Sequence, residues 1–225
     1  MAFAVAVLLC AASAHADEAG CIAARYSASG RYAGCEARAI ARGGVQSALS
    51  KCRQNYAATW PKLQAKYPGT SCALARFVDN GSTITDNLTQ LVWEKKTTAV
   101  GSGENPSDRD DVDNRYSWSA TSTNADGTAF TDFLDNLNST GFAGQHDWRL
   151  PTVSELQTIL LPETYPCAAS PCVDPIFVPT QSGYWSSSTY QDYPDAAWYV
   201  YFAGGGTTAD FKPLSYYVRG VRAGS

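Results

Sequence analysis

The sequence predicts an α+β fold, in which a small helical unit precedes a larger domain of strands and two helices. Residues 17–72 are rich in Ala, Arg and Lys and contain four cysteines. Residues 73–225 contain five of the six tryptophans and only short apolar runs between Gly, Ser, Asn and Asp. In this second region strand signals come first, then two helical segments, then further strands, which is an α+β order.

Residues 1–16, "MAFAVAVLLCAASAHA", contain no Lys, Arg, Asp or Glu. The apolar run followed by small residues at Ala14 and Ala16 is typical of a secretory leader, with cleavage expected between Ala16 and Asp17. The run is too short for a stable membrane span. We therefore expect a secreted protein in the periplasm, at the cell surface or outside the cell.

Cleavage would leave 209 residues (225 − 16), enough for one sizeable domain and a small one. The net charge is −4 and there is no basic run, which argues against nucleic acid as a partner. The same charge argues against simple electrostatic attachment to an anionic surface. The sequence requires no cofactor, and a homo-oligomer or an assembly partner is compatible with it.

Six cysteines remain after Cys10 is removed with the leader, and an even number in an exported chain indicates disulfides. A zinc site is a poor alternative, because the chain has no C-x-x-C and only two histidines.

The first region predicts a helical hairpin, residues 17–72, with Gly43-Gly44 ending the first helix and Pro68-Gly69 the second. Pro61 should kink or restart the second helix. The unit is interpreted either as a spacer or docking arm, or as a stapled cap that packs on the main domain.

Cys35 and Cys52 each lie eight residues from the Gly43-Gly44 pair, so they lie level in an antiparallel hairpin. This favours nested bridges, Cys35–Cys52 and Cys21–Cys72. The alternative is a sequential pairing of Cys21 with Cys35 and of Cys52 with Cys72.

Three segments define the second region, residues 73–225. Asn80-Gly81 predicts a hairpin between two strands. The segment "TAFTDFLDNLNST" has its apolar residues on one helical face. In "LPTVSELQTILLP", Thr152 and Glu155 form a capping box, and Pro162 should end the helix. The last forty residues read as strands joined by "AGGGTT" and "KPLS".

Four blocks occur in the order found in the Lcl C-terminal domain family, also called DUF1566: "RFVDNGSTITDNLTQLVWEKK", "GFAGQHDWRLPTVSELQTIL", "GYWSSSTY" and "AWYVYFAGGG…YYVRGVR". The resemblance covers about residues 75–223. It implies a C-type lectin-like fold, similar to formylglycine-generating enzymes and to retroelement-diversified receptors. Family members are typically exported bacterial proteins, and some bind glycans.

The resemblance implies non-catalytic, adhesin-like recognition of a surface glycan or a protein. The first alternative is a structural subunit of an envelope or extracellular assembly. The second is an oxidase of the formylglycine-generating type, which would need free active-site cysteines. Here the candidates are Cys167 and Cys172 in "CAASPC", where a local structural disulfide is the better interpretation.

The block "HDWRLPT" suggests chemistry, but a structural interpretation is stronger. Trp148 and Leu150 should anchor the core, and Arg149 should be held by an internal carboxylate because a buried guanidinium must be paired. Glu155 should cap its helix. A single His146 without a nucleophile does not support acid–base catalysis.

The block "ENPSDRDDVDN" contains Asp108, Asp110, Asp111 and Asp113. Its spacing does not fit an EF-hand, so a solvated acidic loop is the preferred interpretation. Ca²⁺ is compatible with the loop, since many C-type lectins use it, but nothing requires it.

The aromatic stretch at residues 183–202 predicts a core face and a binding face. Alternation along "AAWYVYF" places Trp198 and Phe202 on the core face and Tyr199 and Tyr201 on the other. The predicted core consists of Trp93, Trp148, Arg149, Leu150, Trp185, Trp198, Phe202, Arg219 and Arg222. The predicted ligand contacts, where rings stack and carboxylates take polar groups, are Tyr190, Gln191, Asp192, Tyr193, Asp195, Tyr199, Tyr201, Lys212, Tyr216 and Tyr217.

Overall fold

The computed structural model describes residues 2–42, 46–98, 103–161, 167, 170–180 and 182–224, with side chains from residue 17 onward except at 29, 33, 36, 40, 46 and 50. Three helices come first: α1 (Ala2–Ala41), α2 (Gln46–Ala57) and α3 (Thr59–Lys66). In this described part of the chain, no helix is long and apolar enough to cross a bilayer. The predicted cleavage point lies within the backbone of α1, and the predicted Gly43-Gly44 turn lies outside the described residues.

Pro61 explains the break between α2 and α3. A proline ring clashes with the carbonyl four residues earlier, which here belongs to Ala57, the last residue of α2. The helix restarts as α3 at Thr59, and α3 ends at Lys66, just before Pro68-Gly69. These breaks agree with the sequence prediction.

Two disulfides connect the helices in the nested arrangement. Cys35 pairs with Cys52 and Cys21 with Cys72, with Cα–Cα distances of 5.8 and 6.0 Å. Between them, the rings of Tyr32 and Tyr56 stack with centroids 4.5 Å apart. Aromatic packing and cross-links together replace the large core that so short a unit cannot build.

The helical unit packs on the main domain. Leu88 of the main domain belongs to the buried cluster of the helices. Arg25 Nη1 donates to the Asn87 carbonyl at 2.7 Å, and Arg53 Nη2 donates to the Gly205 carbonyl at 3.2 Å. These contacts favour the interpretation of the helical unit as a stapled cap on the main domain over its interpretation as a spacer or docking arm.

Three antiparallel sheets form the rest of the main domain's framework. Their strands are β1 (Phe77–Asp79), β2 (Thr83–Asp86), β3 (Leu91–Glu94), β4 (Tyr116–Ser117), β5 (Gly183–Thr189), β6 (Ala196–Tyr201), β7 (Gly206–Phe211), β8 (Ser215–Tyr216) and β9 (Val221–Ala223). The first sheet has the order β1-β2-β3-β9, the second pairs β4 with β8, and the third has the order β5-β6-β7. The Asn80-Gly81 hairpin joins β1 to β2, with Gly81 at φ +89°.

Both predicted helices of the domain are present. A π-helical stretch (Ala129–Leu134) continues into α4 (Asp135–Ser139). The second helix, α5 (Val153–Thr158), begins with the predicted capping box. It ends at Thr158, because Leu160 forms a β-bridge with Val173; the predicted stop at Pro162 lies outside the described residues.

The sheet β5-β6-β7 is covered on both faces. Tyr184 and Trp185, neighbours on β5, are both fully buried but belong to different core clusters. Val200 and Phe202 pack with Tyr184 on the first face. The prediction of one core face and one open face is therefore wrong for most of this sheet.

Candidate ligand-binding site

A groove of about 670 Å³ lies on the sheet β5-β6-β7, at the point where the rest of the domain no longer covers it. Its walls come from the start of α5, the end of β5, the loop after β5 and the middle of both β6 and β7. This loop is a tight turn, because the Tyr190 amide donates to the Ala196 carbonyl at 2.9 Å and the Ala196 amide to the Tyr193 carbonyl at 2.9 Å. The lining consists of Val153, Ser188, Thr189, Tyr190, Gln191, Asp192, Trp198, Thr207, Thr208 and Ala209.

Aromatic rings form one side of the groove. Trp198 meets Tyr190 edge to face, with centroids 4.9 Å apart and planes at 75°. Tyr190 in turn stacks beside Tyr193, whose side chain is 62% exposed. The prediction that Trp198 is a core residue needs correction: it packs against the core with part of its surface and lines the groove with the rest.

The polar side of the groove carries little charge. Gln191 and Asp192 are exposed at its rim. Desolvation raises the pKa of Tyr190, and the neighbouring Asp192 carboxylate raises it further. Of the ten lining residues in the described chain, Asp192 alone is a carboxylate, and none is Lys, Arg or His. The groove therefore suits a neutral ligand with an apolar face and hydroxyl groups.

Lys212 was predicted to contact ligand, but it is 1% exposed. Its Nζ donates to the carbonyls of Thr123 and Pro194, each at 2.8 Å, and lies 4.0 Å from the centre of the Trp118 ring. Burial lowers the pKa of Lys212, and the charge of Asp195 offsets part of that effect. Lys212 thus holds the loop that forms the groove wall, and half-buried Asp195 does not line the groove.

The remaining predicted tyrosines lie outside the groove. Tyr199 and Tyr216 stack with centroids 4.6 Å apart on the opposite face of the sheet, both edge-on to Trp185. Gly183 makes room for them, since a Cβ there would lie 2.7 Å from the Tyr199 ring. Tyr217 packs against Tyr184, whereas Tyr201 is 45% exposed. The residues predicted to form one ligand-binding surface therefore lie on both faces of the sheet.

The model of the Lcl C-terminal domain family matches residues 82–222. The chain belongs to this family. The match contains every groove residue and excludes the helical unit. No curated protein and no solved structure matches the chain.

Within the Lcl C-terminal domain, the "HDWRLPT" block is structural. Trp148 and Leu150 are buried, and Trp148 Nε1 donates to the Phe142 carbonyl at 3.0 Å. Arg149 is not a core residue, because its side chain is 45% exposed. It pairs with Glu155 at 2.7 and 2.6 Å, where the capping box has already fixed that carboxylate.

The two C-terminal arginines differ. Arg219 is fully buried and donates to the carbonyls of Glu94 and Phe177 at 2.7 Å each. Arg222 is half-buried and pairs with exposed Asp147 at 2.7 Å. Trp93, Trp185 and Phe202 are fully buried, as the sequence predicts.

The acidic loop is more ordered than the solvated loop that was predicted. Asp111 is fully buried and accepts a bond from the Asp113 amide at 2.8 Å. Asp110 pairs with Arg109, and Asp108 accepts bonds from Thr97 Oγ1 and the Asp110 amide. Across the described residues, no three His, Cys, Asp or Glu side chains are grouped to hold a metal ion.

Sequence reasoning missed seven lining residues. Trp198 was predicted to lie in the core, and the other six are Val153, Ser188, Thr189, Thr207, Thr208 and Ala209. The strand pairing opposes Trp198 with Ala209 and Val200 with Thr207. Alternation predicts which residues of β6 share a face, but finding Thr207 and Ala209 requires the register of β7. The contribution of Val153 depends on where α5 lies against the sheet.

Proposed function

We propose that the chain is an exported, non-catalytic recognition module whose Lcl C-terminal domain has a C-type lectin-like fold and binds a neutral glycan in the groove. The observation that carries the proposal is the half-buried Trp198 ring, edge-on to Tyr190 and bordered by Gln191 and Asp192. A sugar ring has an apolar face that stacks on such a ring and hydroxyls that bond to the rim.

A non-catalytic role is supported by the bonding and position of the cysteine and histidine side chains that could take part in catalysis. Cys167 and Cys172 form a disulfide, so the free thiols of a formylglycine-generating oxidase are not available. His146 is exposed, its Nδ1 lies against the Asn138 carbonyl, and it does not line the groove. Three disulfides are typical of an exported protein.

The test is a glycan-array screen of the chain recovered after export, run with and without Ca²⁺, on the parent and two variants. Trp198→Ala should weaken binding of any hit by more than about 30-fold, the loss expected for a central aromatic anchor. Tyr201→Ala is the matched control, because Tyr201 lies on the other face of the same strand and is exposed. Loss of binding in the Tyr201 variant but not in the Trp198 variant would exclude the groove.

A structural role in an assembly is the second candidate. Tyr193, Phe211 and Leu214 are 62, 58 and 46% exposed, and all lie at one end of the β6–β7 hairpin. Exposed apolar residues that lie together are typical of association surfaces. A stable oligomer that Phe211→Ser disperses, combined with an empty array, would favour this role over glycan binding.

A further inference from the structure

The net charge of −4 conceals a division between the two parts of the chain. Residues 17–72 contain eight Lys and Arg against three Asp and Glu, a net charge of +5. Residues 73–225 contain nine basic against eighteen acidic residues, a net charge of −9. Such an asymmetry gives the protein a cationic end and an anionic end.

Six of the eight basic residues of the helical unit lie on its surface, whereas Arg25 and Arg53 are buried. Arg31 and Arg38 lie seven residues apart on α1, and Arg42 follows four residues later, just past the end of the helix, so the three extend along one side of the unit. All three are exposed, as are Lys51 on α2 and Lys62 on α3. In the described part of the chain, no carboxylate pairs with any of these five residues.

Two of these arginines line a groove of about 260 Å³ between α1 and α2, beside the Cys35–Cys52 bridge. Arg31 and Arg38 come from α1, and Asn55 and Thr59 face them from the second arm of the hairpin. Guanidinium groups donate in pairs to phosphate oxygens, and the Asn55 amide adds a further donor. The Thr59 hydroxyl already donates to the Tyr56 carbonyl. The disulfide fixes the width of this groove.

We propose that the helical unit docks on the anionic surface of a lipid bilayer, with the Arg31–Arg38 groove receiving a headgroup phosphate. A bilayer is favoured over a soluble anion because the basic residues are spread along α1, α2 and α3 rather than gathered in the groove. The acidic domain would be repelled by the same surface. The protein would therefore stand with its helical unit on the membrane and its Lcl C-terminal domain directed away.

The test measures partitioning of the exported chain onto vesicles of phosphatidylcholine, with and without phosphatidylglycerol. Each basic residue near an anionic membrane increases partitioning by about fivefold, so Arg31→Gln with Arg38→Gln should lower it about 25-fold. The matched control is Lys95→Gln with Arg115→Gln, which removes two charges from the acidic domain and should not lower partitioning. About 1 M salt should abolish binding, since it reduces the Debye length to about 3 Å.

Equal partitioning onto neutral and anionic vesicles, or an equal loss in both double variants, would overturn the proposal. Binding to short duplex DNA with the same affinity and the same dependence on Arg31 and Arg38 would also overturn it, in favour of a general polyanion site. Displacement from the vesicles by inorganic phosphate at constant ionic strength is expected if the groove receives a headgroup phosphate. Failure of phosphate to compete would overturn that assignment.

Discussion

Lys96→Met tests a buried charge pair that no sequence pattern predicts. Lys96 Nζ lies 2.9 Å from Glu94 Oε1, and both side chains are buried. At an effective dielectric constant of about 20, attraction across this distance is worth about 6 kcal/mol, set against the cost of burying both ions. Removing Lys96 alone leaves the Glu94 carboxylate buried without this partner, which typically costs about 3–5 kcal/mol.

The pH dependence of that loss identifies its cause. Burial raises the pKa of Glu94, and Lys96 and Arg219 act in the opposite direction. Without Lys96 the folded variant should hold a proton on Glu94, whereas the unfolded chain releases it near its ordinary value of 4.5. The loss of stability should therefore be larger at pH 7 than at pH 5, because the unfolded chain gains more by ionising the same carboxyl at the higher pH. Because the folded pKa is raised, stability is present at low pH and is lost as pH rises.

Urea unfolding at both pH values measures these differences. The control is Lys95→Met, the same substitution one residue earlier, where the pair with Asp79 is partly exposed and should be worth less than about 1 kcal/mol. If Lys96→Met costs less than about 1 kcal/mol at pH 7, or the same amount at both pH values, Glu94 is not the buried ionised group described here.

Three further predictions concern the core, the groove and a helix cap. Trp148→Ala should lower the free energy of unfolding by about 3–5 kcal/mol; a melting curve like that of the parent would contradict its burial. Tyr190→Ser with Tyr193→Ser should cost about 1 kcal/mol of stability or less yet weaken glycan binding as Trp198→Ala does; full binding would place the site elsewhere. Burial of Glu155 acts to raise its pKa, but bonds from Arg149 and Thr152 outweigh it, so the pKa lies below 4.5. The stabilisation by ionised Glu155 is present above pH 4.5 and is lost as pH falls through the lowered pKa. Glu155→Gln should therefore cost about 1 kcal/mol at pH 7 and reduce the loss of stability in acid. An unchanged loss of stability in acid would contradict this.

Local rules account for much of the fold. The capping box at Thr152, the Asn80-Gly81 hairpin and the break near Pro61 each depend on a few neighbouring residues, and each is present. The nested disulfides follow from distances to a single turn. These features need no knowledge of what packs against them, which is why the sequence predicts them.

The candidate site depends on packing that no local pattern specifies. Alternation shows that Trp198 and Tyr199 face opposite ways, but not that the Tyr199 face is covered by the Trp185 and Tyr216 rings. A lysine near a predicted binding loop suggests a ligand contact. Lys212 instead lies over the ring of Trp118, and no residue close to Lys212 in the sequence predicts that contact. Likewise, Arg149 reads as buried because it stands between Trp148 and Leu150, although alternation directs it outward.

The position of Lys212 explains how a polar loop serves as a wall of the groove. Hydrogen bonds to Ala196 and Tyr190 close the turn at its base, and Lys212 Nζ holds the Pro194 carbonyl beyond it. Gln191 and Asp192, between these fixed points, would therefore be ordered around a ligand in the proposed site at a smaller entropic cost than in an unanchored loop. The charge that fixes the loop is buried behind it, so among the described residues that line the groove Asp192 alone carries a full charge, and the others offer rings, hydroxyls, an amide and small apolar groups.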